Sequence, residues 1–102
     1  ADELDGRVLI LKGPSTIIVT SDKKVLIINN SNSLLATAGS GDVLSGLILG
    51  LLSRGYDINH ASILGVYLHG ETSKYYYDKI SKDGMRASDI IKYLPDVYNE
   101  IF

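Results

Sequence analysis

The chain has 102 residues, 22% charged and 45% apolar, with a formal net charge of −2 and no cysteine. That length allows at most one domain, and the composition is that of an ordinary soluble globular protein. The charge excludes the basic footprint of a nucleic-acid binder, the lack of thiols excludes disulfide and thiolate chemistry, and no apolar run is long enough to span a bilayer.

The chain opens without an initiator Met, on Ala1-Asp2-Glu3-Leu4-Asp5-Gly6, a solvated lead-in whose start is expected to be a boundary of processing or expression. No signal-peptide pattern is present, and a cytoplasmic setting is expected. Val8-Leu9-Ile10-Leu11 is a continuous apolar run, expected to be a strand covered on both faces. Lys12-Gly13-Pro14-Ser15 breaks it. The β-branched run 16–20 reads as a second strand, Ser21-Asp22-Lys23 as a turn and 24–28 as a third strand, so that the last two form a hairpin. Residues 29–33 form a polar Asn/Ser loop.

A glycine-rich stretch, 36–46, follows. From Val43 onward, apolar residues at Val43, Leu44, Leu47, Ile48, Leu51 and Leu52 have helical spacing, and Gly55 is placed to end that helix. Asp57 or Asn59 caps a second helix carrying Ile63, Leu64, Val66, Tyr67 and Leu68, which continues through Tyr75-Tyr76-Tyr77. After the turn at Asp83-Gly84, Ser88 caps a last helix that Pro95 ends, kinks or restarts. The fold class is therefore α/β, about three strands followed by three helices. So few strands for so many helices point to part of a larger sheet.

The chemistry lies in Gly39-Ser40-Gly41-Asp42. Glycines let the backbone turn tightly and approach a ligand, and the first amides of a helix bind anions at the positive end of its dipole. The stretch lacks the Gly-Lys-Ser/Thr end of a Walker loop, the third-glycine spacing of a dinucleotide fingerprint and the flanking glycines of a nucleophile elbow. An amide anion hole with a carboxylate at its lip remains. That suits phosphoryl transfer, with the amides of Ser40, Gly41 and Asp42 as donors and Asp42 as base for the accepting hydroxyl. Asp42 as a mere helix cap is the equally open alternative.

The run Leu35-Ala36-Thr37-Ala38-Gly39-Ser40-Gly41-Asp42-Val43-Leu44-Ser45-Gly46, preceded by Asn32, resembles the signature of the NAD(P)H-hydrate dehydratases of the ribokinase superfamily. Leu11-Lys12-Gly13 upstream, and Gly65-Val66-Tyr67-Leu68-His69-Gly70 and Ala87-Ser88-Asp89-Ile90 downstream, extend it. The resemblance implies the C-terminal, nucleotide-binding portion of a ribokinase-like domain. It implies an enzyme that phosphorylates the ring hydroxyl of hydrated NADH or NADPH from ADP or ATP, after which phosphate leaves. Asp42 would contact the hydrated substrate and act as base, with Gly39, Ser40 and Gly41 as the anion hole. Lys12, Gly13, Pro14, Ser15 and Thr16 would line the nucleotide site, with Asn32, Ser33, Leu34, Leu35, Ala36, Thr37 and Ala38, together with the glycine turn, as its other wall. A divalent metal, Mg2+ in the superfamily, is expected, with no ligands identifiable in this chain. Where the family usually reads Gly-Asn-Pro-Gly, this chain has Ser31-Asn32-Ser33-Leu34, a less rigid loop. Members are also much longer, so self-association or pairing with an N-terminal half is expected.

Two alternatives share the motif: a superfamily kinase acting on a vitamin precursor or sugar, and a non-catalytic nucleotide-binding or assembly module. His69 reads as a packing histidine, Tyr75, Tyr76 and Tyr77 as surface or interface, and Lys79, Lys82 and Arg86 as a solvated basic face.

Overall fold

The computed structural model describes residues 6–12, 15–30 and 32–102. Three strands, β1 (Leu9–Leu11), β2 (Thr16–Val19) and β3 (Val25–Ile28), are followed by α1 (Ser40–Ser53), α2 (Ile58–Lys79) and α3 (Ala87–Ile101). The sheet is antiparallel in the order β1-β2-β3. Between sheet and helices, Ser33–Leu35 forms a 3-10 turn, with Asn32 at its N-cap accepting the Leu34 N–H.

Alternation along the strands divides the sheet into two unlike faces. Ile10, Ile18 and Leu26 stand in one cross-strand row and pack with Leu44 of α1 and Val66 of α2. A second cluster, Leu34, Tyr76, Met85 and Ile90, joins the 3-10 turn to α2 and α3. The opposite sheet face carries two further rows, Leu9-Val19-Val25 and Leu11-Ile17-Ile27. Leu9, Leu11, Val25 and Ile27 remain 44–66% exposed. Among the described residues, the expectation of cover on both faces of the first strand therefore fails, because the helices that pack on the sheet, α1 and α2, lie on the inner side.

Asparagines fasten the sheet to α2. Asn59 exchanges two hydrogen bonds of 2.9 Å with Ser21, so it serves the hairpin turn, while Asp57 caps α2 by accepting the His60 N–H. Asn30 donates to the Tyr67 carbonyl and the Glu71 carboxylate, and Asn32 to the Ser73 carbonyl. Gly65 lets α1 approach, since a Cβ there would run into Ile48.

The expected N-cap of α3 is corrected. Arg86 takes that position, its N–H donating to the Asp89 carboxylate at 2.8 Å, and Ser88 lies inside the helix. Pro95 neither ends nor restarts α3, which runs through it to Ile101. Pro95 lies on the exposed side, where water can meet the carbonyl that its missing N–H leaves free. Tyr75 and Tyr76 pack against Tyr93 of α3 with ring centroids 5.8 and 5.9 Å apart. Lys79 pairs with Glu100, and Lys82 lies over Tyr77. Among the described residues, no helix is long and apolar enough to cross a membrane.

Candidate functional site

The 39–42 turn starts α1. Gly39 is its N-cap in the left-handed region, φ 86°, and a Cβ there would lie 3.2 Å from the Ala87 Cβ. Its carbonyl accepts the Val43 N–H at 3.1 Å. The Ser40 N–H donates to the Thr37 carbonyl at 3.2 Å, so one of the three expected anion donors is already engaged. Among the described residues, the Gly41 and Asp42 amides meet no acceptor, and both residues are exposed. They are the unpaired donors of a helix start. Asp42 makes no capping hydrogen bond, since the cap position belongs to Gly39, which has no side chain to offer. Its carboxylate faces solvent beside two free N–H groups, an arrangement suited to taking a proton next to a bound phosphoryl group.

A cavity of about 520 Å³ opens between the hairpin, the 3-10 turn and α2. Of the expected nucleotide residues, Lys12, Thr16, Asn32, Ser33, Leu35 and Ala36 line it. Others do not. Leu34 is buried in the second core cluster, a correction that follows from its inward position on the 3-10 turn. Ser15 points elsewhere and donates to Asn29 Oδ1 at 3.0 Å. Thr37 contributes its carbonyl to Ser40, while Ala38 is exposed beside the turn. Gly39, Ser40, Gly41 and Asp42 lie outside the cavity lining. Gly13 and Pro14 lie outside the described residues.

Five lining residues were not expected there: Leu44 and Val66 from the first core cluster, and Asn30, His69 and Gly70. Gly70 leaves room for the Asn30 side chain, which a Cβ there would force to move. His69 connects the cavity to the turn, its Nε2 lying 3.0 Å from the Ser40 carbonyl and 3.1 Å from Ser40 Oγ. Burial, reinforced by the Lys12 ammonium, lowers its pKa from 6.5 to about 4, so the ring is neutral near pH 7. The Asx and His signals were in the sequence. What it lacked was the fold that turns them inward.

Among the described residues, no three His, Cys, Asp or Glu side chains gather to hold a metal ion. The described residues thus do not by themselves form a protein-held divalent cation site, and the groups they do bring together are amides, Lys12 and Asp42.

A family model described as NAD(P)H-hydrate dehydratase matches residues 2–96. The bifunctional NAD(P)H-hydrate repair enzyme Nnr of Dictyoglomus turgidum is 42% identical over 91% of this chain and 18% of its own length. The ADP-dependent (S)-NAD(P)H-hydrate dehydratase of Bacillus subtilis is 36% identical over 89% of this chain and 33% of its own. A crystal structure of the Bacillus subtilis ADP/ATP-dependent NAD(P)H-hydrate dehydratase, co-crystallised with ATP and Mg2+, superposes with a TM-score of 0.88 at 34% identity, over 94% of this chain and 35% of that one. This chain therefore spans between about a fifth and a third of the proteins it resembles.

Proposed function

The chain belongs to the NAD(P)H-hydrate dehydratase family, and from that membership we propose that it is the nucleotide-binding, base-carrying portion of an enzyme that repairs hydrated NADH or NADPH. The observation that carries this reading is the exposed, non-capping Asp42 beside the two unpaired amides of α1. The nucleotide occupies the cavity between Lys12 and the 3-10 turn, and the Gly41 and Asp42 N–H groups receive the charge of the transferred phosphoryl group. Lys12 adds a positive charge on the same side. The ring hydroxyl oxygen of the hydrated cofactor attacks the terminal phosphorus of ADP or ATP. The bond from that phosphorus to the nucleotide's bridging oxygen breaks, and the hydroxyl proton passes to the Asp42 carboxylate. Departure of phosphate with loss of a ring proton completes the dehydration.

The remaining two-thirds of the related Bacillus subtilis chain has no counterpart here. We assign the uncovered sheet face, with rows Leu9-Val19-Val25 and Leu11-Ile17-Ile27, as the surface that such a preceding region covers, so that residues 1–102 form one partial domain. A cytoplasmic setting is part of this reading, as the expected compartment of the nucleotides it uses.

The test supplies hydrated NADH with ADP or ATP to the intact gene product that carries this chain. Regenerated NADH without a lasting phosphorylated product supports the proposal. Asp42→Asn is expected to lower the rate by about 10²–10⁴-fold with the protein still folded. Accumulation of a stable phosphate ester, or an unimpaired Asp42→Asn, would sink it.

A further inference from the structure

His69 sits on α2, 29 residues from Ser40, and is buried to 2% exposure. Any buried ring N–H needs an acceptor, and what is particular to His69 is that its acceptor is the first residue of α1. The imidazole has a single nitrogen directed at two oxygens of that residue. A carbonyl oxygen has no proton to give, so the nitrogen 3.0 Å from the Ser40 carbonyl must be the donor. That fixes the tautomer. Nε2 carries the hydrogen, Nδ1 keeps the lone pair, and Ser40 Oγ, 3.1 Å away, is a second acceptor of the same N–H. The Ser40 hydroxyl hydrogen is thereby left free of the histidine.

We propose that His69 is a positioning residue for the phosphoryl-transfer turn, its Nε2–H holding the first residue of α1 through the carbonyl and hydroxyl of Ser40 and so tying the turn to the wall of the nucleotide cavity. The proposal rests on the function assigned above and adds to it the residue that orients the Gly41 and Asp42 amides. Each flank of His69 is fixed independently. Gly65, one turn before, meets Ile48 of α1, and Gly70 abuts Asn30, which lines the cavity. His69 thus stands where α2 touches both the helix that begins at the turn and the loop that faces the nucleotide. Its neutral form suits the task, since a donor to a carbonyl at the positive end of a helix dipole should not itself add a positive charge.

The intact gene product carries the test. A long-range 1H–15N spectrum of its histidines is expected to show His69 protonated at Nε2, and this arm needs no turnover. His69→Gln, which retains an N–H, is expected to keep kcat within about threefold. His69→Phe, similar in shape without a donor, is expected to lose about tenfold to a hundredfold in kcat, with the nucleotide KM within about twofold, because a misplaced hole costs the transition state more than the ground state. A merely structural role would lower the active fraction of both variants alike, so kcat is taken per folded, nucleotide-binding molecule counted by titration, and the positioning role is read as a loss in His69→Phe that persists after that correction and is absent from His69→Gln. An Nδ1–H tautomer, or a folded His69→Phe turning over at the parent rate, overturns the proposal. If His69→Phe does not fold, the tautomer and the Gln variant decide it: Nε2–H with a retained rate supports it, and a folded Gln variant slowed more than tenfold overturns it. A wild-type protein that regenerates no NADH while showing the Nε2–H tautomer refutes the dehydratase reading and leaves the clasp standing.

Discussion

Two glycines one residue apart in the turn answer to different constraints. Gly39 has φ 86° and faces Ala87, so Gly39→Ala meets both backbone strain and a tight contact. A loss of about 1–2 kcal/mol of stability is expected, read as a lower urea midpoint. Gly41 lies in helical backbone with open space where a Cβ would stand. Gly41→Ala is expected to raise stability by up to about 1 kcal/mol while weakening nucleotide binding by crowding a free amide. Loss of both together would contradict the division of labour. His69 adds a pH dependence. Its folded pKa of about 4 lies below the ordinary 6.5, so the unfolded chain takes up the proton first as pH falls. Stability is therefore full above about pH 6.5, lost progressively down to about pH 4 and no further below; between pH 7 and 5 the drop is up to about 2 kcal/mol, and His69→Gln should flatten that limb. The glycine turn that starts α1 was legible in the sequence because its backbone signals are local. The inward turn of Leu34, the engagement of the Ser40 amide and the bridge from His69 were not, since each depends on contacts between distant elements or on the precise phase of a short turn.

Helix boundaries follow rules that a sequence carries unevenly. Asp57 is the kind of cap the pattern announces, and Asp57→Ala is expected to cost about 1 kcal/mol in thermal or denaturant unfolding. At α3 the same rule pointed to Ser88, yet Asp89 reaches back to the Arg86 N–H and starts the helix two residues earlier than a Ser88 cap would. An acidic side chain at the third helical position can satisfy an N-terminal amide as a hydroxyl at the N-cap does, and spacing alone does not choose between them. Pro95 gave a similarly ambiguous signal, because its tolerance depends on the side of the helix that faces water. Periodicity was more informative about burial. Ile90 is fully buried and its neighbour Ile91 is 62% exposed. Ile90→Ala should cost about 2–5 kcal/mol and Ile91→Ala no more than about 0.5 kcal/mol, a contrast that one pair of denaturation curves decides.

At the scale of the molecule, and among the described residues, α1 and α2 pack on one side of a sheet whose other side is wholly aliphatic and whose two outer strands pair on one edge only. Strand order and helix order were readable from runs and spacing. Which side would be left bare was not, because a continuous apolar strand has the same composition whether or not a neighbour covers it. The isolated chain is expected to sediment as oligomers, and Val25→Lys to shift it toward monomer, while the same substitution in the intact gene product weakens the fold by placing a charge in a buried layer. A well-behaved isolated monomer would argue against the assigned surface. The bare rows also have a consequence inside a cell. Chaperones and proteases continuously sort polypeptides by the greasy surface they display. A version of the protein cut so as to free this piece would therefore advertise its own incompleteness and be cleared quickly, whereas the same side chains, once covered, would go unnoticed for the lifetime of the enzyme.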